Sequence, residues 1–309
     1  MSYEGPFVIR PASDACRVEV WSDVPPSFQP KGWKADLRDE VAGAVQHMSC
    51  SPDQMLDAYY YSRDRIKADA ENVLFYNIGT SAFQSAGSSA IRFTRVFADL
   101  PVAPGRDPRR VYLKYEIVSL EAPSQIWELL PAPLARWERV PLILPPRSWW
   151  PNSGTPAGLY WLSMKQAQPQ LGEGRWDGFF ALDLTLHGPN AVNLPDVIKP
   201  VVDGLVASFQ SHDGPIADAA LSKLKRQLGV SAPDDDVLRA WLSDSERAVL
   251  GAQKDLARPK GSALWNPRDH DCVLCRLRLA HERAGGWYLS GVLNGVVPVQ
   301  NRKCRATTA

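Results

Sequence analysis

The chain has no apolar run approaching the roughly 20 residues that a bilayer-crossing helix needs, which excludes a helical membrane span. It has no Gly-x-x-x-x-Gly-Lys loop and no Gly-x-Gly-x-x-Gly turn, so nucleotide hydrolysis on a phosphate loop and hydride transfer from a dinucleotide both fall away. A Gly-x-Ser-x-Gly elbow is missing too. The five histidines stand beside no obvious serine or cysteine nucleophile, which leaves little basis for covalent catalysis. Charge of one sign is not in excess: the net charge is +1 over 309 residues, so no global basic field draws the protein to nucleic acid or to an anionic surface. Cysteines number five, an odd count at irregular positions, which fits a reducing compartment. The opening Met-Ser-Tyr-Glu-Gly-Pro-Phe lacks a charged leader and an apolar core. Together these lead to the expectation of a cytoplasmic protein without a nucleotide cofactor.

What is present is a conventional core-forming composition, 45% hydrophobic and 22% charged, in a chain long enough for one elaborated domain or two. Eleven tryptophans and 26 prolines imply many irregular connections packed by large rings. Periodicity predicts an α+β fold. Cys16–Trp21 alternates like a strand. Ser51-Pro-Asp-Gln54 reads as a capping box with proline at the first helical position, and Met55, Tyr59, Ile66 and Ala70 continue a helical stripe, so a helix is expected over 51–72. Strands are expected at Ala90–Phe97, Val111–Val118, Pro141–Pro145 and Phe179–Leu186, with a loop at 145–156 containing Trp149 and Trp150. A helix follows over 193–210. The segments 216–229 and 237–256 carry charged helical periodicity and read as a hairpin inserted before the chain resumes strand pattern at 272–279 and 287–299. Asp234, Asp235 and Asp236 complement the dipole of the second hairpin helix. The expected organisation is an N-terminal elaboration (1–85), a core (86–214 with 262–300), a helical insertion (215–261) and a basic tail (301–309). No internal repeat is apparent in the sequence.

Two clusters carry residue types capable of chemistry. Cys272-x-x-Cys275, with His270, His281 and Cys304 nearby, has the composition of a zinc site. Residues three apart on a strand point to opposite faces, however, so the two thiols are expected to diverge as structural cysteines. The second cluster is acidic. On the 193–210 helix, Asp196, Lys199 and Asp203 share one face beside the buried stripe Val197, Val201, Leu205 and Phe209. Asp269 and Asp271 stand at the entry of the strand that follows the insertion. Magnesium chemistry on phosphates needs a few carboxylates from separate elements, with a lysine to steady developing charge. By spacing alone the same residues make i,i+3 and i,i+4 ion pairs worth only ~0.2–0.5 kcal/mol each.

A strand, a turn, a helix bearing Lys199-Pro-Val-Val-Asp203-Gly-Leu205, and an acidic strand start at Asp269-His-Asp-Cys-Val273 resemble the RusA-like family of Holliday-junction resolvases. In that family a helix opens Asp-x-Asp-Asn-Leu-x-Lys-x-x-x-Asp-x-Leu, and a later Asp-Asp-x-x-Val begins a strand. Lys199 falls on the family's lysine and Asp203 on the aspartate four residues later. Asn193 and Pro195 stand where the family has its two early aspartates, and Asp196 stands at its asparagine. The resemblance implies a mixed sheet around a strand–helix–strand core and a homodimer acting on branched or structured DNA. It also implies an Mg²⁺ site held by Asp196, Asp203 and Asp271, with Asp269 beside them and Lys199 assisting electrostatically. A catalytically inactive fold of the same type, serving as a DNA- or protein-binding module, is the alternative expectation. Arg276, Arg278, Lys223, Lys225 and Arg226 would supply its basic surface.

Overall fold

The structure, a computed structural model, describes residues 5–62, 68–87, 89–105, 109–146, 156–254, 256–260, 262–265, 267–283 and 285–299. In chain order its strands are β1 (Phe7–Pro11), β2 (Arg17–Ser22), β3 (Gln54–Ser62), β4 (Ala90–Val96), β5 (Val111–Ser119), β6 (Trp127–Leu129), β7 (Ala135–Pro141), β8 (Gln170–Leu171), β9 (Phe180–Gly188), β10 (Ser211–Asp213), β11 (Ala252–Lys254), β12 (Ala257–Lys260), β13 (Ser262–Trp265), β14 (Cys272–His281) and β15 (Tyr288–Pro298). The helices are α1 (Trp33–Val45), α2 (Ala157–Gln166), α3 (Leu194–Ser208), α4 (Asp218–Leu228) and α5 (Asp235–Leu242). The α+β class follows, because one mixed sheet of 11 strands dominates, in the order β1-β2-β5-β3-β4-β14-β9-β15-β7-β8 with β6 attached to β15. β3 and β4 run parallel, as do β9 and β14, and the other pairs of this sheet are antiparallel.

One face of that sheet carries the helices and the main core. Leu56, Ala58, Tyr60, Ile91, Phe93, Leu182, Leu184, Cys275 and Leu277 pack there against Leu37 and Val41 of α1, Val197, Val201 and Leu205 of α3, and Val73–Phe75. α2, α4 and α5 enclose a second cluster around Trp161, Leu224, Leu238 and Trp265. α2 escapes sequence detection because Ala157–Lys165 is buried all round, so no polar face marks its period. α2 crosses α3 closely: a Cβ on Gly204 would lie 2.4 Å from the Ala157 carbonyl oxygen and 2.7 Å from the Tyr160 Cβ.

Four expectations are corrected. The segment 54–62 is a central strand, not the start of a helix. Buried on both faces between β5 and β4, its aromatic run satisfies a sheet interior, and tertiary packing overrides the local helical stripe. The capping-box residues make their bonds in a turn: the Ser51 N–H donates to Gln54 Oε1 (3.0 Å) and the Gln54 N–H to the Ser51 carbonyl (3.0 Å). Ile66 lies outside the described residues. The strand expected at 141–145 is instead β7, ending at Pro141. The second hairpin helix stops at Leu242 rather than continuing to 256, because Asp244 Oδ1 accepts the N–H groups of Glu246 (3.1 Å) and Arg247 (3.2 Å) in a competing turn. Finally, Cys272 and Cys275 do not diverge. A bulge between Cys272 and Leu274 turns both into the main core, while Val273 and Leu274 go to a cluster with Trp127 and Val296. Trp149, Trp150 and the tail 301–309 lie outside the described residues. No helix among them is long and apolar enough to cross a membrane.

Candidate metal centre

The acidic centre is assembled from three segments. β3 leads to Asp69 and Glu71 at the head of a short helical stretch, Asn72–Tyr76, where the Asn72 amide donates to Asp69 Oδ2 (2.7 Å). α3 supplies Lys199 and Asp203, one turn apart on the face beside its buried stripe. A single helical turn, Asp269–Asp271, delivers Asp269 immediately before β14. The Lys199 ammonium sits among all of them: Nζ is 2.9 Å from Asp203 Oδ1, 3.3 Å from Glu71 Oε1, 3.4 Å from Asp269 Oδ2 and 3.7 Å from Asp69 Oδ2. Arg95 ties the segments together, donating to the carbonyls of Ala68 and His270 with its guanidinium over the Tyr60 and Phe97 rings.

The electrostatics are unbalanced. Glu71 is fully buried, and its Oε2 has no hydrogen-bond partner. Burial, with Asp69 and Asp203 nearby, pushes its carboxyl up to about 8 in spite of Lys199. Burial and the Asp203 charge hold Asp269 well above the usual carboxylate range. Burial works against the Lys199 charge, yet Asp203, Glu71, Asp269 and Asp69 together keep its pKa well above the ordinary lysine value. One ammonium therefore faces four acidic side chains, and burial with too little positive charge nearby disfavours ionisation of Glu71 and Asp269. Among the described residues, two ligand sets have donor atoms within 4.8 Å of one another: Glu71, Asp203 and Asp269, and Asp69, Asp269 and His270. Carboxylate oxygens of this kind suit Mg²⁺ or Mn²⁺, and an imidazole favours the latter.

Of the residues expected from the sequence, Lys199, Asp203 and Asp269 converge here. Asp196 does not: its carboxylate accepts from the Thr80 hydroxyl and from the Asn193 amide at 3.0 Å. Asp271 turns to Arg268, whose Nε lies 2.9 Å from its Oδ2. No metal-capable group of three among the described residues includes Cys272 or Cys275, whose thiols are pushed well up by burial. No protein-family model, curated protein or solved structure matches this chain. Its chemistry is therefore argued from the site alone.

Asp69 and Glu71 went unrecognised because the tyrosine-rich segment before them reads as helix. A signal was present. Asp69-Ala-Glu71-Asn72-Val73 has the acid-x-acid-Asn-apolar order that is absent at Asn193–Val197.

Proposed function

We propose that this centre is the catalytic site of a divalent-cation-dependent endonuclease acting on branched DNA. The observation that carries the reading is Glu71: a fully buried carboxylate with one orphaned oxygen, aimed into a cluster that already contains three more acids. Such a group costs about 1–3 kcal/mol if it only braces the fold, and a cation beside it removes that cost. Further support comes from the order β9–α3–β14, a parallel crossover whose helix carries Lys199 and Asp203 and whose closing strand begins after Asp269. That is the arrangement on which the RusA-like resemblance rests, and the choice of branched DNA as substrate rests on that resemblance.

In the reaction a water oxygen bonds to phosphorus as the bond from phosphorus to one ester oxygen breaks. One water proton passes to a site carboxylate and the leaving oxygen takes up a proton, giving a phosphomonoester and a free hydroxyl. Bound cations supply Lewis acidity and a more acidic water. Asp203, Glu71 and Asp269 would hold the ion. Lys199, released from the carboxylates it now neutralises, would place its charge against the non-bridging phosphate oxygens.

The test is cleavage of a labelled four-way junction beside linear duplex, with Mg²⁺, Mn²⁺ or EDTA. Wild type should cut with metal only, Asp203→Asn and Glu71→Gln should lose at least 100-fold by the order of magnitude of an electrostatic catalytic group, and Asp196→Asn should keep its rate. Junction binding without cutting would favour the inactive binding module, and cutting that survives both site substitutions would remove the centre from catalysis.

A further inference from the structure

The eight inner strands of the sheet read the same from both ends. The first half runs β2–α1–β3–crossover–β4–β5 and pairs as β2-β5-β3-β4; the second, with β8 and the segment from β10 to β13 set aside as insertions, runs β7–α2–β9–α3–β14–β15 and pairs as β7-β15-β9-β14. Directions agree as well: in each half the two crossover strands are parallel and the remaining pairs antiparallel. The register is shared at the charged couples, although β14 and β15 carry bulges that the first half lacks. Asp57 of β3 is opposite Arg92 of β4, and Asp183 of β9 is opposite Arg276 of β14. Each couple forms the same ion pair, with Arg92 Nε 3.0 Å from Asp57 Oδ1 and Arg276 Nε 3.1 Å from Asp183 Oδ1. Where the halves meet, Arg92 is opposite Arg276, flanked by Ile91 opposite Leu277 and Phe93 opposite Cys275. An approximate two-fold axis through the Arg92–Arg276 couple exchanges all of these.

We infer that the chain is a tandem duplication of one β-α-β-α-β-β unit, and that the acidic centre is a single composite metal site for which each half supplies different ligands. The start of the first crossover gives Asp69 and Glu71; the second crossover helix gives Lys199 and Asp203, and the approach to β14 gives Asp269. The same axis generates a second junction from the start of α3, the end of the first crossover and the approach to β4. There Leu194 donates to the Gly87 carbonyl (3.0 Å) and the Asn193 amide to the Thr80 carbonyl (3.1 Å). Its carboxylate, Asp196, is occupied by Thr80 and Asn193. Asp69-Ala-Glu-Asn-Val-Leu74 and Asn193-Leu-Pro-Asp-Val-Ile198 occupy matching places after β3 and β9. The acids survive in the first copy, the lysine and Asp203 in the second. One chain is thus its own two-fold body with one working site, and the homodimer implied by the resemblance is not needed to build it.

The test uses the full chain. Molar mass by light scattering should be that of the 34.2 kDa monomer. Mn²⁺ titration followed by electron paramagnetic resonance should lose the tight signal in Glu71→Gln, altered in the first half, and equally in Asp203→Asn, altered in the second. Asn193→Ala at the other junction should leave it unchanged, and an equimolar mixture of the two site variants should stay unable to bind. Recovery of binding on mixing, or tight binding lost by substitution at one half only, would overturn the inference. Absence of any tight Mn²⁺ signal in wild type would overturn it too. A second arm rests on the nuclease reading: with one site hydrolysing one phosphodiester per encounter, supercoiled plasmid bearing a cruciform should pass through nicked circles before linear product appears. Linearisation with no nicked intermediate would count against a single site. Mn²⁺ binding as described with no cutting of any DNA supports the composite site and removes only the nuclease.

Discussion

Glu71→Gln should make the metal-free protein more stable at alkaline pH and leave it unchanged at acid pH. The buried Glu71 carboxyl keeps its proton in the folded protein up to about 8, whereas the ordinary carboxyl value is 4.5. Between those limits the folded chain binds more protons than the unfolded chain, so the Glu71 contribution to stability is full below pH 4.5 and declines as pH rises toward 8. Glutamine has the shape of the protonated acid and cannot ionise. Removing the charge should therefore recover the cost of a buried, half-satisfied carboxylate, about 1–3 kcal/mol, offset in part by the lost attraction to Lys199 at 3.3 Å. At this chain length that is a shift of about 1.5–5 °C in the unfolding midpoint. The assay is thermal or urea unfolding of both proteins from pH 5 to pH 8.5 in EDTA, read as the difference between them. Subtraction cancels groups common to both, including the buried Lys165 amine, which desolvation lowers to about 8. Adding Mn²⁺ at pH 8 should reverse the order by stabilising wild type alone. A flat difference across pH would refute the reasoning, as would a variant less stable than wild type at pH 8.5. Either result would make Glu71–Lys199 an ordinary stabilising ion pair.

Three further outcomes are expected. Gly204→Val should destabilise by ~1–3 kcal/mol, because its Cβ would meet the Ala157 carbonyl at 2.4 Å; urea unfolding reads this, and a midpoint within error of wild type would mean that the α2–α3 crossing is loose. Asp57→Ala should cost about 3–5 kcal/mol, since it strands Arg92 in a pair whose side chains are 5% and 0% exposed. Asp183→Ala, in its more open counterpart, should cost under about 1 kcal/mol, and equal losses would contradict this ranking. Cys272 and Cys275, buried with thiols shifted upward, should react with a thiol reagent only on unfolding, so labelling in the native state faster than Cys16 would show that the bulge is open.

Much of the architecture was legible where one strong local pattern met an ordinary environment. α3 appeared within a residue or two of its expected bounds, and β4, β5 and β9 followed from alternation. Legibility failed where burial on all sides erased the pattern. α2 has no polar face, and β3 reads as helix because its aromatic spacing is compatible with either period until neighbours on both sides are known. The Cys272–Cys275 pair was misjudged for a similar reason: strand alternation holds only without a bulge, and a bulge is fixed by register against β9. In the site, Lys199, Asp203 and Asp269 were singled out by residue type together with the family resemblance, whereas Asp196 and Asp271 were grouped with them but turn to other partners, Asp196 to Thr80 and Asn193 and Asp271 to Arg268.

By itself, the sequence determined the acidic face of α3, the strand entered after Asp269, and the reactions for which the chain has no equipment. Only the tertiary structure decided which carboxylates meet. Lys199 lies 128 residues from Glu71 and 70 from Asp269 along the chain, and no helical or strand period spans such separations. It also decided that the chain is built twice over one axis, a repetition nearly erased from the residues but kept in strand order and register. Backbone pairing and a common core constrain topology tightly, while each half needs only some of the site's side chains; residue identity drifts under that arrangement, and the fold does not.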